Sequence, residues 1–312
     1  MTNTSGMRDW RQEIEFIKLR SARAGTPKFT RELAQGRFIA LCPEIAVPAE
    51  AFESFTWWDR EAIRAFAVGL GARRAVVVGK SAARLHGLPV LGRNAPVELC
   101  LPGASRAPRQ AQWPRGVVYR YTQLWDEHIV EEAGVRVTRL IRTAADLARF
   151  EGVADGILAF DAILRMDQIT KPVAMQHLDG LGRMKFRSRA IRALELADGR
   201  AESPAESWAR AQILLVDLPE VTSIEVQPKL LGGRYRGDLL VNGYLVVETD
   251  GEQKYDGATT GVEPREQMRK DRERDRALTN AGIPRIHVTW ADLAASNGDH
   301  SRFIQMLLRA LR

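Results

Sequence analysis

Three acidic residues sit in a stretch otherwise suited to a hydrophobic interior. Gly237-Asp238-Leu239-Leu240-Val241, Asn242-Gly243 and Tyr244-Leu245-Val246-Val247-Glu248-Thr249-Asp250 read as a β-hairpin around an Asn-Gly turn. Its apolar strands belong in a core, yet they carry Asp238, Glu248 and Asp250. Carboxylates buried together lose hydration and raise each other's pKa. A divalent cation removes that cost. Oxygen-rich sites of this kind suit Mg²⁺ or Mn²⁺, which can ready a water molecule for attack on a phosphodiester and offset charge on the phosphate. Glu206 upstream could orient the water or the metal, and Lys254 downstream could place positive charge beside the transition state. Both have a simpler reading. Ser203-Pro204-Ala205-Glu206 is also a helix start, with Ser203 as N-cap, Pro204 in the first turn and Glu206 closing a capping box, and an isolated lysine is also an ordinary exposed charge.

Strand register makes the shared site a specific expectation. A strict two-residue Asn242-Gly243 loop turns Asp238 to the face of Val247 rather than Glu248. Two carboxylates on one metal therefore require an effectively three-residue connection, such as a type I turn with Gly243 in a G1 bulge, or a bulge elsewhere in the hairpin. Such an irregularity is expected here.

Other strings that resemble chemistry do not carry it. VVVGKSAA lacks the glycine of a phosphate loop, because Arg74 stands where it belongs. The five histidines, His86, His128, His177, His287 and His300, share no metal-ligand spacing, and no Gly-x-Ser-x-Gly elbow accompanies them. Cys42 and Cys100 are too few and too far apart for a disulfide framework or a cysteine-rich zinc site. REQMRKDRERDRAL alternates in sign along one predicted helix. It reads as a solvated, ion-paired face, with contact to a DNA backbone through Lys270, Arg274 or Arg276 as the alternative.

Charge is unevenly distributed. The chain has a formal net charge of +7, but residues 1–200 hold 31 basic and 22 acidic side chains, against 15 and 17 in residues 201–312. A basic body favours polyanionic partners through counterion release and long-range attraction, and the acidic end suits a site made of carboxylates. Arg106, Arg109, Arg115 and Arg120 lie in a span with no acid between Glu98 and Asp126, interleaved with Trp113, Tyr119 and Tyr121. Guanidinium groups bind phosphate and rings stack on bases, so this span is a candidate nucleic-acid surface; a solvated loop and strand is the bland alternative. Arg183, Lys185, Arg187, Arg189 and Arg192 form a second basic run, in which Lys185 and Arg187 are the candidate contacts.

The elements that must position these residues follow from hydrophobic patterning. Trp10, Ile14, Ile17 and Leu19 fall roughly at helical spacing, Thr30-Arg31-Glu32-Leu33 opens a second short helix, and GRFIALCPEIAVP gives two strands broken at Pro43. Together they read as a winged-helix-like region over 1–56. A helix from Trp57 to about Gly71, the β-branched run Val76-Val77-Val78, a helix over Ser81–His86, a strand at Val135–Val137 and two helices to Arg165 make an α/β domain over 57–165. Residues 166–202 read as a basic helical linker and 203–312 as the domain holding the carboxylates. The 312 residues fit two domains, and 45% apolar content lets each bury a core. No run reaches the roughly 20 apolar residues of a membrane helix, and MTNTSGMRDWRQEIEF has no secretory apolar region. The expectation is a cytoplasmic protein of α/β class with no membrane partner.

In order, ESWARAQILL, RGDLL, VVETDGEQKYDG and RKDRERDRALTNAGIPRIHVTW resemble the PD-(D/E)XK restriction-like nucleases, in particular the branch similar to very-short-patch-repair endonucleases, over about 203–295. The resemblance implies a mixed sheet flanked by helices. In it the helix carrying Glu206 precedes the sheet, Asp238 and Glu248 hold the metal, and a helix with Asp271 and Asp275 packs before a strand at Arg285–Thr289. It also implies DNA as substrate and, in many members, a homodimer. The family's Glu-x-Lys reads Glu248-Thr249-Asp250 here. Either Asp250 adds a ligand and Lys254 supplies the cation, or catalysis is weakened. The segments GRFIAL…AVPAEAF, VVVGKSAARLHGLPVL and GVRVTRLIRTAADLAR with FDAILR are similar to AbiE-type antitoxins of toxin–antitoxin systems over about 28–165. That likeness implies a winged helix before an α/β domain, and a toxin protein as partner. Two functions follow: a metal-dependent DNA endonuclease, in phage defence or DNA repair, or a non-catalytic DNA-binding regulator with a degenerate nuclease domain.

Overall fold

The adjacent valines at 76–78 crowd a helix but suit a sheet, and around them the first of two units is assembled. The computed structural model describes residues 9–20, 27–103, 105–166, 169–250 and 264–312 of a mixed α/β chain. The chain forms two compact units, Arg8–Ala159 with Lys171–Leu194 in one and Phe160–Thr170 with Glu195–Arg312 in the other. In chain order the elements up to residue 196 are α1 (Trp10–Glu13), β1 (Ile17–Lys18), α2 (Pro27–Ala34), β2 (Phe38–Cys42), β3 (Ile45–Pro48), α3 (Ala49–Glu53), α4 (Trp57–Gly71), β4 (Val76–Val77), α5 (Gly79–Leu85), β5 (Val97–Cys100), β6 (Val117–Tyr119), β7 (Ile129–Glu132), β8 (Val135–Thr138), α6 (Leu140–Phe150), α7 (Val153–Arg165), α8 (Lys171–Gly180) and α9 (Arg187–Leu196).

Two sheets shape this N-terminal unit. The first has the order β1-β3-β2 and is antiparallel. The second has the order β6-β5-β4-β8-β7, with β5/β6 and β4/β8 parallel and the other pairs antiparallel. Ile17 departs from its expected helix and pairs with Ala46 in the first sheet, while Leu19, whose N–H donates to Glu44 O, is helical. Nor does packing break at residue 56. Trp10, Ile14, Val47, Phe52 and Phe55 share one buried cluster with Phe66, Val77, Val97, Leu99 and Val137, because a short helix and a small sheet bury little apolar area alone. Likewise, the segment expected to link domains contains α8 and α9, and its part Lys171–Leu194 belongs to this unit.

Buried charges tie the second sheet to its helices. Glu98 is almost fully buried on β5, and its Oε2 accepts the Lys80 N–H at the start of α5. Gly79 is required there: its φ is +56°, and a Cβ would collide with the Glu98 carboxylate. Arg120 pairs with Glu98 and also with Glu151 at the C-cap of α6, and Lys80 reaches Glu151 at 2.9 Å. Deeper still, the fully buried Arg142 binds Asp146 at 2.9 Å, His128 Nδ1 at 2.9 Å and Gln123 O at 3.0 Å. Asp155 on α7 faces this network. Burial first, and then the negative charge of Glu151, push its carboxyl from 3.8 up to about 6 against the pull of Lys80. Its neutral form therefore fits the fold better than its charged form. That contribution is whole below about pH 3.8 and lost as pH rises through about 6. Asp155→Asn should be about as stable as wild type at pH 4 and more stable by about 1–3 kcal/mol at pH 8, read from urea unfolding at both pH values; equal curves at pH 8 would contradict it.

The second unit is built on α10 (Pro204–Val216), β9 (Ile224–Val226), β10 (Lys229–Leu230), β11 (Tyr235–Arg236), β12 (Leu239–Val241), β13 (Leu245–Asp250), α11 (Pro264–Asn280), β14 (Arg285–Thr289), α12 (Trp290–Ala294), β15 (Ser296–Asn297), β16 (His300–Ser301) and α13 (Arg302–Ala310). Its main sheet has the order β14-β13-β12-β9, parallel only between β13 and β14. One face carries Leu239, Val241, Leu245, Val247 and Val288 against α10, α12 and α13 through Ile213, Leu293, Phe303 and Leu307. The opposite face carries Val246 and Leu240 against Leu278 of α11. The last turns of α7 join this unit through a buried ion pair in which Arg210 donates to Asp161 at 2.8 and 2.9 Å and to Leu196 O at 2.6 Å. Removing one partner strands a buried charge, so Arg210→Leu should cost about 3–5 kcal/mol in chemical denaturation, and making Asp161 apolar as well should restore most of it.

Candidate functional site

Glu206 owes its position to a helix cap. Ser203 Oγ accepts the Glu206 N–H at 3.2 Å, Pro204 occupies the first turn, and the Glu206 side chain folds back over the helix start. There Oε2 accepts the Glu202 N–H at 2.8 Å and Gln227 Nε2 at 2.6 Å. Only 5% of Glu206 is exposed. Burial raises its pKa, and the charge of nearby Asp238 raises it further, while the hydrogen bonds from Glu202, Ser203 and Gln227 act the other way. The cap and the candidate site thus use the same carboxylate: the cap fixes it near Asp238.

The hairpin contains the expected irregularity. Asn242 and Gly243 both have positive φ, and the Tyr244 N–H donates to Val241 O at 3.2 Å, closing a tight primed turn. Leu245, not Tyr244, is nevertheless the ladder partner of Val241, and the pairing continues as Leu240 with Val246 and Leu239 with Val247. Tyr244 is the additional residue, so the extra position follows the turn instead of lying in it at Gly243. Continuing the ladder brings Asp238 opposite Glu248. The turn is held from outside: Asn242 Oδ1 accepts from Thr222 N, Thr222 Oγ1 and Ser223 N, and its Nδ2 donates to Glu220 O.

Asp238 ends the β12–β13 ladder. Its Oδ2 accepts the Thr249 N–H at 2.7 Å and the Thr249 hydroxyl at 2.9 Å, taking the place of a strand carbonyl. Glu248, 6% exposed, lies on the face covered by α11, where Arg274 Nη2 pairs with its Oε1 and also donates to Arg236 O at 2.7 Å. Asp250 is exposed at the strand end, in register with Thr289. Lys254 lies outside the described residues, as does the side chain of Asp271. Among the described residues no three His, Cys, Asp or Glu side chains converge closely enough to hold a metal. Glu206, Asp238 and Glu248 of the second unit are each engaged by protein groups, Glu206 by Glu202 and Gln227, Asp238 by Thr249 and Glu248 by Arg274.

Sequence reasoning missed Gln227, which holds Glu206, and the pairing of Arg274 with Glu248. It also gave no role to His287, an exposed residue of β14 in ladder register with Glu248 on the same face. The strand pattern of RIHVT held that last signal, since His287 alternates with Ile286 and Val288, both of which pack into the core.

The candidate nucleic-acid residues divide. Arg106, Arg109 and Arg115 are exposed, whereas Arg120 is engaged with Glu98 and Glu151 inside the first unit. Trp113 and Tyr119 pack on each other with centroids 5.7 Å apart, while Tyr121 is 75% exposed. Arg187 pairs with Asp179 at 2.6 Å, and Lys185 is exposed. No family model matches this chain, and no curated protein matches it.

Because Asn242 combines a left-handed backbone with four side-chain hydrogen bonds, Asn242→Ala should destabilise the protein by about 2–3 kcal/mol. Asn242→Gly should lose less, since glycine keeps the backbone freedom. Urea midpoints of the two variants read this directly, and equal losses would contradict the strain component.

Proposed function

We propose that the chain is a metal-dependent DNA endonuclease whose site lies in the second unit. The observation that carries this reading is the hairpin register, which sets Asp238 opposite Glu248 while Glu206 is coupled electrostatically to Asp238. Hard oxygen donors of this kind fit Mg²⁺ or Mn²⁺. When bound, such an ion would supply a water of lowered pKa and offset charge on the scissile phosphate. Asp238 and Glu248 would hold the ion, with Asp250 assisting from the strand end. Glu206, whose raised pKa favours retention of a proton, would orient water, and Lys254 would place positive charge near the phosphate. Arg106, Arg109 and Arg115, exposed and without neighbouring acids in sequence, would contact the DNA backbone. On this reading residues 203–312 have restriction-endonuclease-like architecture, and the β2–β3 hairpin is the wing of an antitoxin-like first unit. A homodimer would allow both strands to be cut, and the cytoplasm would be the place of action.

A second reading is favoured by two observations: Arg274 already neutralises Glu248, and Asp250 stands where the restriction-like nucleases that the sequence resembles carry lysine. In that reading the protein is a DNA-binding regulator of antitoxin type, with a toxin protein as partner. Cleavage of supercoiled plasmid under Mg²⁺ and Mn²⁺ titration separates the two. Asp238→Asn keeps an oxygen acceptor for Thr249, so the fold should survive. It and Glu248→Gln should each lower cleavage at least about 100-fold. Salt-sensitive binding without cutting by the wild type would instead establish the regulator.

A further inference from the structure

The loop before α9 holds an aromatic ring outward at a conformational cost. Phe186 has φ +58° and is 42% exposed. A left-handed backbone at a bulky residue costs roughly 1–2 kcal/mol, and an exposed ring returns little burial to offset it. The loop is nevertheless firmly held. Arg149 Nε donates to Lys185 O at 2.6 Å and its Nη1 contacts Met184 Sδ at 3.4 Å, while the Arg189 side chain donates to Arg149 O at 3.1 Å. Backbone bonds from Arg187 N to Met184 O and from Arg189 N to Phe186 O close the turn. The surroundings are cationic. Lys185 Nζ lies 4.8 Å and the Arg189 guanidinium 4.5 Å from the ring centroid. Arg183, Lys185, Arg189 and Arg192 are exposed, and no acid occurs between Asp179 and Glu195.

We infer that this loop is a binding platform for single-stranded nucleic acid, on which a base stacks on Phe186 while Lys185 and Arg189 exchange the ring for the flanking phosphates. A strained, rigidly held ring among unopposed cations matches that chemistry. Every base offers a π-face, and the backbone offers regularly spaced charge. Duplex DNA keeps its bases stacked and so cannot use the ring. The inference deepens the nuclease reading by naming the form of nucleic acid the first unit captures, and it rests on that reading only for the consequence of capture.

Binding is read in EDTA, so failure of cleavage leaves this result untouched. Fluorescence anisotropy with a labelled polypyrimidine strand of about 16 nucleotides, and with the same strand in a duplex, should show at least about tenfold preference for the single strand. Phe186→Gly should weaken single-strand binding by about 5- to 100-fold while leaving the melting temperature unchanged or higher, because glycine relieves the left-handed backbone. Phe186→Trp should retain binding. Arg183→Gln with Arg189→Gln should weaken it and flatten the salt dependence by about 0.7 per lost phosphate contact. Equal affinity for strand and duplex would overturn the platform. So would unchanged binding by Phe186→Gly, or lost binding by a folded Phe186→Trp.

Discussion

A β-ladder alternates faces with a period of two residues, so a single added residue decides which side chains are buried and which are presented. In the second unit that residue is Tyr244. Because Leu245 pairs with Val241, the apolar residues Leu239, Val241, Leu245 and Val247 all point to α10, α12 and α13. The same offset turns Glu248 to the opposite face and sets Asp238 across from it. Without the added residue the two strands would disagree about which face is the core. The hydrophobic demand of the sheet and the meeting of the carboxylates are therefore one constraint, and Asn242, anchored through four bonds, maintains it.

Buried ion pairs join the elements that hydrophobic contacts alone leave loosely specified. Asp161 with Arg210, Arg142 with Asp146, and Arg120 between Glu98 and Glu151 each join segments brought together by folding or fix a helix against its neighbours. Because guanidinium carries several donors in a fixed plane, one arginine can satisfy a carboxylate and a backbone carbonyl together, as Arg210 and Arg142 do. Part of the basic excess of the first 200 residues is thus consumed within the fold. Arg106, Arg109, Arg115 and the run around Phe186 are among the basic residues that remain exposed to a polyanion.

Much of the architecture was legible because it depends on local pattern. The helix from Trp57 to Gly71, the short strand at Val76 and the helix opened by Ser203 follow from caps, β-branching and spacing, whereas the strand Arg285–Thr289 was expected from the resemblance alone. The hairpin irregularity was legible too, since it is forced by two requirements read from the same fourteen residues, 237–250. What could not be read depended on distant partners. Ile17 is in a strand because Ala46 is available to pair with it, Arg120 is engaged because Glu151 arrives at the end of a distant helix, and the basic run at 183–192 is folded because Arg149 holds its backbone. Spacing along the chain carries no trace of such partners. The carboxylates were therefore easier to identify than the groups that engage them, Gln227, Thr249 and Arg274.

The string Gly79-Lys80-Ser81 looked like a phosphate-binding turn and lacked the glycine for it, yet its backbone does hold an anion, the carboxylate of Glu98. An anion tethered to the neighbouring strand is present at an effective concentration of about millimolar or higher, and it leaves the cell's free phosphate nothing to displace it with but mass action. A peptide N–H of the kind that in other proteins recognises a ligand, that of Lys80, here acts as a fastener whose strength is independent of the ligand pool. The capacity to bind an anion at this turn has been converted from a variable of the environment into a constant of the fold.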